Sequence, residues 1–319
     1  MNKRKLYILF FIFIAGIFIG CFSFAAFQKF FPPKISVVMS TYNRADLIGR
    51  AIESILNQTY QNFEFIIIDD ASTDNTVQII KSHMQTDKRI KLVENRKNRG
   101  LAENLNTGIQ MATGKYIARI DDDDYSLPRR FERQVALLQA NPDLAAVGTA
   151  SSKIGVYDVY SFTDITDPEI IKSLFYLSCN PILHTSVMMR RSFLNAHGLA
   201  YNPRNTYAED YGLWLDILAA GGKFSNVPEI LHFYREHTTN SKSYYRTQRQ
   251  TARRLYDRLL VLFSPDDSFY AMTTPEKLRR LVEINDVQKI MPPEKFARAA
   301  DLLLELEQVK ESARQKGNK

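Results

Sequence analysis

Apolar positions along the chain fall into two regimes. The first is an uncharged run over residues 6–27, entered by Asn2, Lys3, Arg4 and Lys5 and closed by Phe30, Phe31, Pro32, Pro33 and Lys34. The two prolines stop a helix there and leave a short stiff spacer. As a helix the run would reach about 33 Å at 1.5 Å per residue, enough to cross a bilayer. The second regime starts at Ile35, where short β-branched runs alternate with stretches whose apolar residues recur every three or four positions. The pattern predicts strands over 35–39, 63–68, 90–93 and 116–120, with helices over 47–56, 75–84 and 101–111 between them. Further on it predicts a helix over 130–139, strands over 145–148 and 185–189, and a helix over 210–220. From about Tyr244 the chain reads as helices, rich first in arginine and then in leucine. Alternation of this kind builds a mostly parallel sheet covered by helices, and such sheets bind ligands beyond the carboxyl ends of their strands.

Three polar clusters stand at those strand ends: "STYNR" (40–44), "DDASTDNT" (69–76) and "DDDD" (121–124). Four consecutive carboxylates repel one another unless a cation or water screens them. A divalent metal does this well, because hard oxygen ligands suit magnesium or manganese, and such an ion can bridge a diphosphate. By itself the quartet fits equally a solvated acidic turn before the helix that Pro128 opens. "STYNR" offers hydroxyls, an aromatic face and a guanidinium for a base and a phosphate, or simply a helix cap at Thr41 or Asn43. In the second cluster Asp70 could accept from a base or ribose, while Ser72, Thr73 and Asp74 could cap the next helix.

Composition adds bounds rather than direction. At 319 residues, 45% hydrophobic, the chain can bury one substantial core and a small second unit. The net charge of +7 suits an anionic ligand or an acidic membrane surface, and no nucleic-acid partner is expected. Cys21 and Cys179 are the only cysteines, so neither a disulfide framework nor a thiolate metal site can be assembled. The 6–27 run exceeds a usual signal-peptide core, and "FIGC" (18–21) is only a weak match to a lipoprotein cleavage site, so an uncleaved single-span anchor is expected.

"ISVVMSTYNRADLIGRAIESILNQTYQNFEFIIIDDASTDNT", "NRGLAENLNTGIQMATGKYIARIDDDDYSLPRRFERQ" and "AEDYGLWLDIL", in that order, resemble the inverting glycosyltransferases of family 2. The resemblance runs over about 35–237. It implies the GT-A fold, a Rossmann-like α/β sheet flanked by helices, here with an N-terminal transmembrane helix and a C-terminal helical extension. The organisation expected is a basic N-terminus (1–5), an anchor (6–27), a catalytic domain (33–243) and helical residues 244–319.

The family implies roles for matching residues. Thr41 and Tyr42 would line the nucleobase pocket, with Tyr42 stacking and Arg44 at the phosphates. Asp70 would hold base or ribose, and Arg99 would sit by the nucleotide. The quartet matches the family's Asp-x-Asp metal motif twice, as Asp121 with Asp123 and as Asp122 with Asp124. The first register is favoured, with Asp122 nearer the ribose and Mg2+ or Mn2+ as the ion. His237, in "YREHTTNS", would approach the metal. Asp210, in "AED", would be the general base of a single displacement, its bland alternative being a helix cap. His184, Glu209 and Trp214 are weaker acceptor-side candidates, Trp214 fitting an apolar helix core as well. The Gln-x-x-Arg-Trp motif of processive synthases is missing, which points to transfer of single sugars from a nucleotide-diphosphate sugar, with UDP-sugar expected, to a glycan, lipid or protein. The rivals are a silent sugar-nucleotide binding module, argued against by intact Asp123 and Asp210, and a nucleotidyltransferase, argued against because "STYNRAD" is no triphosphate loop.

The arginines from Arg246 to Arg258 lie near leucines, as in a helix resting on anionic lipid or one packed on the catalytic domain. For location, the excess of Lys3, Arg4 and Lys5 over Lys29 and Lys34 would put the N-terminus inside. Bacterial sugar nucleotides are cytosolic, so the expectation is a bacterial inner membrane with the catalytic domain facing the cytoplasm, or a Golgi-type lumenal domain in a eukaryote.

Overall fold

The computed structural model describes residues 33–154, 163–176, 180–236 and 242–262. The apolar 6–27 run, His237 and the chain beyond 262 lie outside the described residues, and with them the expectations placed there. Among the described residues no helix is long and apolar enough to cross a membrane.

The first half follows the predicted alternation. Strand β1 (Ile35–Thr41) leads to helix α1 (Ile48–Leu56), β2 (Phe63–Asp69) to α2 (Thr76–Thr86), β3 (Ile90–Glu94) to α3 (Leu101–Met111), and then β4 (Tyr116–Arg119). These strands pair in parallel in the order β3-β2-β1-β4. Their runs are apolar without alternation because both faces are covered. Ile35, Val37 and Met39 pack with Phe65, Ile67 and the Ile48, Ile52 and Ile55 face of α1. Val38, Ile66 and Ile68 face the other way, onto Ala102 and Leu105 of α3 and the layer that contains Trp214.

Beyond β4 the sheet turns mixed. It continues with β5 (Tyr125–Ser126), α4 (Arg130–Ala140), β6 (Leu144–Lys153), α5 (Pro168–Tyr176), β7 (Met188–Arg190), α6 (Arg191–His197), α7 (Glu209–Ala219), β8 (Lys223–Tyr234) and α8 (Lys242–Leu262). The order is β4-β7-β6-β8-β5, with β7 antiparallel to both neighbours and β8 parallel to β6 but antiparallel to β5. The expected strand over 185–189 is shorter, because 184–186 forms a 3-10 turn in which Ser186 closes back on Leu183. The twelve-residue β8 has no counterpart in the predicted elements. It carries Pro228, which removes a ladder donor, and the β6 register slips there from Val227 to Ile230 so that Pro228 and Glu229 bulge out of the pairing. Helix α8 closes on α7 through the Tyr207–Tyr244 ring contact and buries Leu255 in the core.

One buried charge ties the parallel strands together. Glu64 of β2 accepts from Ser36 of β1 (2.6 Å), Lys91 of β3 (2.7 Å), Lys34 (3.1 Å), and the hydroxyl and backbone N–H of Thr113 before β4. Burial opposes its charge, but these bonds outweigh burial and hold its carboxyl well below the usual range. A depressed folded-state pKa contributes stability above the unfolded value that is lost as pH falls through the folded one. Glu64→Gln should therefore cost about 1–3 kcal/mol at neutral pH. In chemical denaturation the gap from the unsubstituted protein should narrow steadily below pH of about 4.3; a gap independent of pH would refute the charge argument.

Candidate active site

The carboxyl ends of β1, β2 and β4 bring the three polar clusters together. Thr41 lies opposite Asp69 and Val38 opposite Arg119, so the acidic quartet begins level with the end of β1. Strand order reverses at this point, β2 lying on one side of β1 and β4 on the other, which opens the crevice in which such sheets hold ligands.

The 40–44 and 69–76 loops brace each other. Asn43 receives Thr73 N–H on its Oδ1 (2.8 Å) and donates its own N–H to Ser72 Oγ (2.9 Å). Arg44 N–H reaches Thr76 Oγ1 and Ala45 N–H reaches Asp74. Asn43 and Ala71 sit at φ 52° and 67°, and Tyr207, beside the acidic pair of α7, at 63°. These are the described non-glycine residues in the left-handed region, and all three border the crevice; such strain collects at functional sites. Tyr42 is 46% exposed, whereas Thr41 at the end of β1 is buried.

The quartet spreads its four carboxylates over three sets of partners. Asp121 pairs with Arg119, and Asp122 with Arg44 at 3.4 Å; Asp123 comes within 4.0 Å of the same Arg44 nitrogen. Asp124 accepts from the buried His232 Nε2 (3.0 Å) and from Arg235 N–H (2.8 Å). Burial raises Asp121 above the ordinary range, its three acidic neighbours add to this, and Arg119 relieves only part. Burial likewise pushes Asp122 up to about 6, with Asp123 adding and Thr41 and Arg44 opposing. Asp124 goes the other way, because its bonds to His232 and Arg235 outweigh its burial.

Single oxygens of Asp121, Asp123 and Asp124 lie within 4.8 Å of one another. Both Asp124 oxygens already accept hydrogen bonds, while Asp121 lies against Arg119 and Asp123 near Arg44. The favoured register, Asp121 with Asp123, falls within this group, and Asp122 lies outside it against Arg44. The surplus of unrelieved carboxylate charge is what a divalent ion would remove, and oxygen donors fit Mg2+ or Mn2+.

Asp70 is more committed than its sequence context suggests. Its Oδ1 accepts from Arg99 N–H (2.8 Å) and Asn95 (3.0 Å), and its Oδ2 from Gly100 N–H (2.9 Å). It therefore anchors the loop that enters α3, while the Arg99 side chain pairs with Glu103.

A cleft of about 560 Å³ runs from this region to α7, lined by Arg99, Arg119, Asp121, His184, Glu209 and Asp210 among others. Asp210 Oδ2 accepts from Asn180 (2.8 Å), and burial raises Asp210 and Glu209 above the ordinary carboxylate range. Asp210 stands in the first turn of α7, behind the N-cap Ala208, and its carboxylate also accepts the Tyr211 backbone N–H, so it serves the helix start as well as lining the cleft; Glu209 reaches back to Tyr207 N–H. His184 lines the cleft bonded to the Tyr201 hydroxyl (2.8 Å); burial, then Arg119, lowers its pKa, so it is neutral. Trp214 corrects the acceptor-side reading: its ring is 0% exposed, edge-on to His184 and Phe224, and cannot reach a sugar.

Sequence reasoning missed Arg119, His232 and Asn180. Arg119 reads as an ordinary strand residue, and His232 lies 108 positions from Asp124 inside the unrecognised β8.

Comparison with known proteins comes to the same place. The profile described as Glycosyl transferase family 2 matches residues 36–198, half of the chain. The chain is 39% identical over 209 residues to the putative glycosyltransferase EpsE of Bacillus subtilis, covering 64% of this chain and 73% of that one. It is 32% identical over 205 residues to the Escherichia coli UDP-Glc:alpha-D-GlcNAc-diphosphoundecaprenol beta-1,3-glucosyltransferase WfaP, covering 64% and 77%. Among solved structures, a TarS fragment from S. aureus with UDP-GlcNAc superposes with TM-score 0.59 at 18% identity, covering 89% of this chain and 92% of that one. The mannosyltransferase PcManGT from Pyrobaculum calidifontis, with GDP-Man and Mn2+, does so with TM-score 0.55 at 21% identity, covering 87% and 75%.

The division of the quartet predicts opposite responses to neutralisation. Asp124→Asn should lower the melting temperature by several degrees, since it weakens a buried pair worth about 1.5–3 kcal/mol. Asp122→Asn should leave it unchanged or raise it, because a carboxyl pushed up by its surroundings destabilises the fold when ionised at pH 7. Thermal denaturation without divalent ions checks both; equal losses would show that the quartet acts as one structural unit.

Proposed function

The chain belongs to the family 2 glycosyltransferases, and on that premise we propose that it moves a single sugar, with inversion, from a nucleotide-diphosphate sugar to an acceptor hydroxyl. The observation that carries the reading is one cleft joining a metal-competent carboxylate, Asp121, to a buried and raised one, Asp210. An inverting transfer is a single displacement at the anomeric carbon and needs one carboxylate to take the acceptor proton. Asp210 fills that role, with Asn180 and the first-turn backbone of α7 fixing its carboxylate in the cleft. Burial raises its affinity for the proton, which suits a base at neutral pH.

Tyr42 stacks the nucleobase, and Arg44 with Asp122 meets the ribose and phosphate end. Asp70 acts through the Arg99–Gly100 backbone that it holds. Asp121 and Asp123 would hold a divalent ion, which when bound neutralises the charge that develops on the departing diphosphate. His237 follows two residues after Arg235, whose N–H is pinned to Asp124, and is proposed as a further ligand. Glu209 and His184 lie on the acceptor side of the cleft.

UDP is the nucleotide favoured, because WfaP uses UDP-Glc by name and TarS was captured with UDP-GlcNAc; PcManGT, with GDP-Man, is the counterexample that a donor screen must include. A lipid-linked acceptor fits a single-span anchor over residues 6–27, and the diphosphoundecaprenol acceptor named for WfaP lends it support. We place the catalytic domain on the cytoplasmic side of a bacterial inner membrane, where nucleotide sugars are made.

The base assignment is tested by Asp210→Asn, which should reduce transfer by about 10²–10⁴-fold with nucleotide binding nearly intact. The pH profile of kcat/KM should lose activity as pH falls through the raised Asp210 pKa, placing the acid limb above the ordinary aspartate value. Unchanged turnover would remove Asp210 as base. Asp123→Ala should abolish the dependence of nucleotide binding on Mn2+ in calorimetry, and a pocket indifferent to both metal and substitution would defeat the metal assignment.

A further inference from the structure

Arg119 is held with less than it can donate to. Its residue is 2% exposed, yet only Nη2 has a partner, Asp121, and its Nε and Nη1 have none among the described residues. Buried guanidinium donors are nearly always bonded, so two unmet ones in a single side chain call for a cause. Arg119 also lines the cleft, between Asp121 on one side and Glu209 and Asp210 on the other. Two neighbours bond elsewhere instead: His184 to the Tyr201 hydroxyl and Asp210 Oδ2 to Asn180.

Its position is fixed from below. Arg119 N–H donates to Val187 O (3.0 Å), and its carbonyl accepts from Nη2 of the buried Arg130 (2.7 Å). A rigid strand therefore holds two dry donors in a side chain that lines the cleft. Groups set this way discriminate well, because a ligand lacking the matching oxygen leaves them unpaired.

The charge around them decides which oxygen. Asp121, Glu209 and Asp210 share the cleft, so a second anion at Arg119 would face three carboxylates. A neutral hydroxyl meets the donors without that repulsion. We propose that Arg119 reads the transferred sugar: Nε and Nη1 donate to hydroxyl oxygens of its ring and hold it between the metal-binding carboxylates and the base. The inference rests on the nucleotide-sugar reading above and adds to it a specificity-determining contact on β4.

The test uses the full chain with Mn2+. Calorimetry compares UDP, GDP, UDP-glucose, UDP-GlcNAc and GDP-mannose on the unsubstituted protein and on Arg119→Met and Arg119→Lys, with donor hydrolysis measured in parallel. For the sugar donor that the unsubstituted protein prefers, Arg119→Met should weaken binding and lower kcat/KM by about 10- to 100-fold. Its affinity for the bare diphosphate should stay within about twofold, and Arg119→Lys should recover part of the loss. A merely structural role would not separate the sugar from the nucleotide. Equal losses on both would assign Arg119 to the diphosphate and overturn the proposal, as would no loss on either. If Arg119→Met does not fold, Arg119→Lys carries the same comparison with a smaller expected loss. Failure of the unsubstituted protein to bind any of the five overturns the nucleotide-sugar reading itself, which the variants do not touch.

Discussion

Four carboxylates in sequence at the end of one strand are a constraint that the rest of this fold is arranged to meet. Left alone they would repel one another and neutralise by taking up protons. The chain instead divides them among Arg119, Arg44 and His232. Asp124 turns into the core and is met by His232, which also bonds the Thr185 hydroxyl. Asp122 turns to Arg44, and Asp121 to Arg119. The inward bond is what makes the outward charges possible. By tying the quartet to β8, it stops the loop from relaxing into solvent, where the same four residues would be an ordinary acidic turn.

That single tie explains why the second half of the sheet is built as it is. For His232 to reach Asp124, β8 must run beside β6 and then along the two-residue β5, whose Ser126 pairs opposite His232. The bulge at Pro228 and Glu229 lets one long strand serve both neighbours, since a bulged strand bends and twists more strongly. Arg130 completes the support from α4, with one arm on Ser126 and another on the Arg119 carbonyl. The site is therefore fastened at both ends of the quartet by groups fully withdrawn from water.

How much of this was legible in the sequence follows from what each signal depends on. Strands β1 to β4 and helices α1 to α3 announce themselves because local periodicity and two-sided burial agree. The placement of the three polar clusters followed from parallel topology alone. Strand β8 was hidden because its proline contradicts the local strand pattern and only the bulge reconciles them. The inward role of Asp124 could not be read at all, since its partner is 108 residues away and nothing local distinguishes the fourth aspartate from the second. Arg119 escaped for the opposite reason: a lone arginine in an apolar strand looks like a solvated edge until its burial is known. Trp214 went to the core, as residues on an apolar helix face usually do.

The strained residues sharpen the same point. A left-handed non-glycine residue persists only where its surroundings over-determine it. Asn43 and Ala71 meet that condition through the hydrogen bonds that cross between their two loops, and Tyr207 through the Glu209 carboxylate that accepts its N–H. In each case the strained backbone adjoins a group at the strand ends or cleft: Tyr42 beside Asn43, the loop anchor Asp70 beside Ala71, and the acidic pair of α7 beside Tyr207. If the loops existed only to connect strands to helices, ordinary turns would do so at lower cost. The geometry holds these groups in place in advance, so that a ligand using them would not have to order them. The quartet carries the same logic in electrostatic form, since its like charges are kept together by a fold that braces them from Arg119, Arg44 and His232.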